Sequence, residues 1–135
     1  MIGAKRELGK IKDTFLGFED HGLFSFLITF DFGTTVQAFG GYRLDQPAKD
    51  NRFRGTAFGC EVIMRILNAV GVDSWEKLVG QEMWAIREEG MIRGIEAPKY
   101  RKGTTPFHIR ELIEAFEKRE KVVDTHCPQC GMPQS

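Results

Sequence analysis

Residues 23–32 read Leu-Phe-Ser-Phe-Leu-Ile-Thr-Phe-Asp-Phe, and no other stretch constrains the chain so strongly. Phe24, Phe26, Ile28, Phe30 and Phe32 recur at every second position, while Ser25, Thr29 and Asp31 share the alternate positions with Leu23 and Leu27. Alternation of this kind sends the large apolar side chains to one face of a β-strand. That face has to be buried, so the strand must lie in a sheet packed on a core.

Further strand signals flank it. Residues 8–18 mix Ile11, Phe15, Leu16 and Phe18 with Lys10, Lys12, Asp13 and Thr14, a half-buried strand with a bend at Gly9 or Gly17. Glu19, Asp20, His21 and Gly22 form the turn that follows it. Gly33 permits a reversal into residues 34–42, where Thr35, Gln37 and Phe39 oppose Val36 and Ala38. Three strands joined by short turns predict an antiparallel meander.

Residues 43–54 carry Asp45, Pro47, Asp50 and Asn51 without a period, a loop long enough to suggest a functional reason. Thr56 is placed to cap a helix whose apolar stripe is Phe58, Val62, Ile63, Ile66, Leu67 and Val70, ended by Gly71. Asp73 and Glu76 have capping-box spacing for a short helical turn at 74–78 that carries Trp75. A hairpin of residues 81–87 and 91–97 follows, turning at Glu88, Glu89 and Gly90. After a charged linker at 98–104, Thr105 and Pro106 predict the start of a second helix with Ile109, Leu112, Ile113 and Phe116 inward. Glu114 with Lys118 and Glu117 with Lys121 extend it as a solvated face.

These elements define an α+β fold: antiparallel three-strand meander, helix, hairpin, C-terminal helix. The order strand, strand, strand, helix, strand, strand is that of an OB-like barrel, and a simpler α+β sandwich reads the same. A chain of 135 residues can bury about two thirds of its unfolded surface in one domain. Residues 1–123 are expected to form that domain and 124–135 a tail.

Nineteen basic residues offset nineteen acidic ones, which removes the whole-molecule positive field that favours duplex binding. Any nucleic-acid site has to be local. The first residues lack the apolar segment of a signal peptide, and no apolar run approaches the roughly 18 residues of a spanning helix. With three cysteines, an odd number, the expectation is a cytoplasmic protein with free or metal-bound thiols and no membrane segment.

The strongest local motif is His126-Cys127-Pro128-Gln129-Cys130-Gly131. It resembles one knuckle of a zinc ribbon or rubredoxin-like site, and the resemblance implies zinc ligation by Cys127 and Cys130. A tetrahedral site needs more ligands than one knuckle supplies. They could come from the same pair in a second chain, making a homodimer through the tail, or from His108, His126 or Cys60. The alternative is a disordered tail with two free thiols. Cys60, near the start of a helix, reads as a small buried thiol.

Arg43, Lys49, Arg52 and Arg54, interleaved with Tyr42 and Phe53, form a candidate single-stranded nucleic-acid site, with cations for phosphates and rings for bases. The alternative is a solvated loop with Phe53 tucked onto the core. Gly40 and Gly41 do not form a phosphate loop, because the surrounding glycine and lysine pattern is absent. Glu19, Asp20 and His21 invite an acid-base or metal reading, which turn chemistry also explains. His108 reads as a surface or capping residue, and Glu88 and Glu89 as a hairpin tip.

The segments Phe15-Leu16-Gly17-Phe18-Glu19-Asp20-His21-Gly22, Phe39-Gly40-Gly41-Tyr42 and Gly71-Val72-Asp73-Ser74-Trp75-Glu76-Lys77-Leu78-Val79-Gly80 resemble those of small uncharacterised phage and prophage proteins. The resemblance implies a phage or mobile-element setting and no catalytic residues. The expected function is a non-enzymatic accessory binding protein acting on a protein partner, such as a host defence or replication component. The alternatives are an OB-like single-strand binder and a metal-dependent enzyme using His21 or the C-terminal thiols.

Overall fold

The computed structural model describes residues 4–19, 22–46 and 54–126, with side chains through residue 118. The alternating segment forms β2 (Phe24–Asp31), between β1 (Ala4–Phe18) and β3 (Val36–Arg43) in the expected meander. Helix α1 (Ala57–Val70) and a 3₁₀ turn (Trp75–Lys77) lead to the hairpin of β4 (Glu82–Glu88) and β5 (Met91–Glu96). A short β6 (Phe107–His108) then passes directly into α2 (Ile109–His126). The fold is α+β, and its strands form one antiparallel sheet in the order β3-β2-β1-β4-β5-β6.

Strand β1 spans 15 residues and serves two partners. Residues 10–18 pair with β2 and residues 4–10 with β4, and the register shifts between Ile11 and Asp13. Such a bulge bends a strand and increases its twist, so the sheet coils around the side chains that β2 sends inward. Phe26, Ile28 and Phe30 meet Ile11, Phe39, Met83 and Ile95 from the sheet and Val62, Ile66 and Val70 from α1, all buried. Phe26 and Phe39 pack edge to face with ring centroids 5.4 Å apart.

Coiling brings β3 opposite β5. Gln37 Nε2 donates to the Gly90 carbonyl at 2.8 Å, and the Phe39 and Phe107 rings lie 6.3 Å apart. Yet no backbone ladder joins β3 to β5 among the described residues, so the sheet is open and the closed OB-like barrel is not formed. Part of the cause lies in β6, which occupies the edge of β5 at Gly94 and Ile95. The kink in β3 contributes as well. At Gly40, with φ 139°, a β-carbon would stand 2.3 Å from the Phe26 carbonyl oxygen.

Several local expectations are revised by tertiary contacts. Phe107 and His108 belong to a strand because Phe107 is buried against the core, and the helix starts only at Ile109. From there α2 runs to His126. Asp73 forms no capping box. It pairs with Lys77 Nζ at 2.8 Å, and that ammonium holds the Asp73 carboxyl below its ordinary range. Glu88 lies within β4 opposite Met91, leaving Glu89 (φ 56°) and Gly90 (φ 81°) as a two-residue turn. Positive φ at both central positions matches a type I′ hairpin. Cys60, expected inside, is exposed.

The seating of α1 follows the expected caps. Thr56 Oγ1 accepts from Gly59 N at 2.8 Å and donates to the Leu44 carbonyl at 2.7 Å, and Gly71 closes the helix in the left-handed region. Arg101 fixes the other end, its Nη1 donating to Val70 O at 2.9 Å and its Nη2 to Glu82 O at 3.0 Å. A cation on the last carbonyls of a helix complements its dipole. No helix among the described residues is long and apolar enough to cross a membrane.

At Gly59 a β-carbon would stand 2.1 Å from the Leu44 carbonyl oxygen. Gly59→Ala is therefore expected to destabilise the fold by about 2–3 kcal/mol, despite the better helix propensity of alanine. Arg101→Met keeps much of the stem but strips two carbonyls of their charged donor, with an expected loss of about 1.5–3 kcal/mol. Denaturant midpoints at constant m-value measure both.

Candidate functional site

The outer face of β1–β3 is set by the same alternation that builds the core. With Phe26 and Ile28 inward, Leu27 points outward, and the register puts Phe15 opposite it on β1 and Gly40 opposite it on β3. The neighbouring rows are Asp13, Thr29 and Ala38, then Lys10, Asp31 and Val36. Phe15 is 43% exposed, Leu27 39% and Val36 52%. The missing side chain at Gly17 leaves room for the Phe15 ring, whose Cζ would lie 3.4 Å from a β-carbon there. These residues make a shallow apolar shelf.

The polar rim of the shelf is internally bonded. Asp31 Oδ1 accepts from Gly33 N at 2.8 Å and Asp13 Oδ1 from Thr14 N at 2.9 Å. At the opposite end, buried Ser25 donates its hydroxyl to the Glu19 carboxylate. Arg43, across from Ser25, pairs with Asp45 at 2.9 Å.

The residues proposed for single-strand binding are divided by this arrangement. Tyr42 is half-buried, its ring 6.3 Å from Phe26 and 6.4 Å from Phe39, so part of it packs on the core. Arg43 stands at the shelf rim, and Arg54 follows the loop, its carbonyl accepting from Gln46 N at 3.0 Å. Lys49, Arg52 and Phe53 lie outside the described residues, as do Asp20, His21, Cys127 and Cys130. Among the described residues, no group of three or more His, Cys, Asp and Glu side chains is placed to hold a metal. Exposed Cys60 has its Sγ 3.9 Å from Met64 Sδ.

One polar cluster escaped the sequence. Glu88 Oε2 lies 3.0 Å from His108 Nε2 and Glu88 Oε1 lies 3.6 Å from Arg110 Nη1, with the Glu88 and His108 side chains each 17% exposed. His108 Nδ1 accepts from Arg110 N at 3.3 Å, which assigns the ring proton to Nε2 and makes Glu88 its acceptor. Both ring nitrogens are thereby engaged by groups of the protein itself. His108 caps α2, as one of its two sequence readings held. Glu88 is no hairpin tip: it ties β4 to β6 and to the first turn of α2. Its place inside β4 follows from a two-residue Glu-Gly turn, but the partner depends on a strand that the sequence pattern did not reveal.

No family profile matches the chain, and comparison with curated proteins and with solved structures finds no similar one. The residues themselves therefore carry the functional reading.

Glu88→Ala deprives a half-buried imidazole and a guanidinium of their acceptor. The expected cost is about 1–2 kcal/mol in denaturant unfolding, with the cap bond from Arg110 N to His108 retained.

Proposed function

We propose that the chain is a non-enzymatic binding module that docks a protein partner on the outer face of β1–β3. The observation that carries this reading is the apolar row of Phe15 and Leu27, exposed beside Val36 and Ala38 on a sheet whose opposite face already has a complete core. An apolar centre with a polar rim suits a protein interface, where aromatic anchors supply most of the energy. The balanced net charge fits a partner recognised by shape and apolar contact. The phage or mobile-element setting implied by the sequence resemblance makes a cytoplasmic host or phage protein the expected partner.

A single-stranded nucleic acid is the second reading. It is favoured by the order and direction of the first strands, which follow the OB-like pattern, and by Phe15 and Arg43 at opposite parts of one face. Salt-dependent anisotropy of a labelled oligonucleotide separates the two, because phosphate contacts weaken steeply with salt.

Phe15→Asp with Leu27→Asp tests the docking face. The change is expected to cost about 1 kcal/mol of stability, leave circular dichroism unchanged, and reduce nuclease-resistant capture of the partner by about 100-fold, as loss of a central anchor would. Equal capture by the folded variant and the parent chain would rule this face out.

A further inference from the structure

Six other arginines among the described residues have oxygen partners. Arg6, Arg43, Arg65 and Arg87 each hold a carboxylate within hydrogen-bond distance, Arg110 stands 3.6 Å from Glu88, and Arg101 holds two backbone carbonyls. Arg93 has none of these. This half-buried residue sits on β5 where that strand faces β3, beside the register shift between Ile86 and Arg87. Its Nη1 donates to Tyr42 Oη at a long 3.3 Å, its Nη2 lies 3.7 Å from Met91 Sδ, and its Nε is buried with no acceptor.

The donors there outnumber the acceptors. A guanidinium has only N–H groups to offer, and a thioether is a weak acceptor. Tyr42 Oη, by accepting from Arg93, keeps its own hydrogen for another acceptor, and none is present among the described residues. A partly desolvated cation without a counter-charge is costly. A guanidinium fork beside a hydroxyl matches the lone pairs of a phosphate or carboxylate. We propose that Arg93 and Tyr42, at the seam where β3 faces β5, form a receptor for a single oxyanion group. The seam is suited to this because no backbone ladder joins β3 to β5 among the described residues, and its bridges are made by side chains. The alternative role for Arg93 is to plug the seam with its apolar stem.

The test titrates the full chain with sodium phosphate and, separately, sodium acetate, against sodium chloride at matched ionic strength. Calorimetry and the shift of the Arg93 Nε–H resonance report binding. Saturable binding of at least one of the two anions, with that resonance shifting, is expected. Phosphate alone would point to a phosphoryl ligand, and acetate binding to a carboxylate. Arg93→Gln should abolish saturable binding, and Tyr42→Phe should weaken it about three- to tenfold. No saturable binding of either anion, or undiminished binding in Arg93→Gln, overturns the proposal and leaves Arg93 as a plug. If Arg93→Gln does not fold, Tyr42→Phe decides, and unchanged affinity in that variant overturns it.

Discussion

The architecture depends on β1 having two partners. One strand of 15 residues cannot stay flat while its first part pairs with β4 and its second with β2, and the bulge after Ile11 is where it changes allegiance. The resulting coil closes the aromatic face of β2 over α1 and the hairpin. It also turns Leu27 and Phe15 outward and draws β3 toward β5. The docking shelf and the seam are thus opposite consequences of one bend.

Backbone approach sets the second level of control. Gly59 lets α1 rest on the Leu44 carbonyl, and Gly40 lets β3 kink against Phe26. Arg101 then clamps the segment before β6 onto the end of α1 and the start of β4. With that segment held, Phe107 enters the core and His108 meets Glu88. A charged linker in the sequence becomes a structural clamp because its guanidinium finds carbonyls from two distant elements.

What was legible in the sequence had a local cause. The strand period of β2, the Thr56 cap, the Gly71 stop and the apolar stripe of α1 all appear where expected, since each involves groups within a few residues of one another. The failures were long-range. Thr105 and Pro106 carried a helix-start signal that burial of Phe107 overrode, and the strand order left barrel and sandwich alike open, a choice that rests on whether β3 and β5 form a ladder. The placing of Tyr42 beside Phe26 and Phe39, after the kink at Gly40 and Gly41, was likewise not legible in the sequence.

The sequence by itself determined the α+β class, the buried face of β2 and the limits of α1, because periodicity and capping are encoded over single turns and alternate residues. Only the tertiary structure decided that Cys60 is exposed, that Glu88 meets His108 across 20 residues, and that Arg93 reaches Tyr42 across 51. Those outcomes depend on strand register and on the bend in β1. Neither has a local signature, because each follows from how much apolar surface the coiled sheet can bury at once.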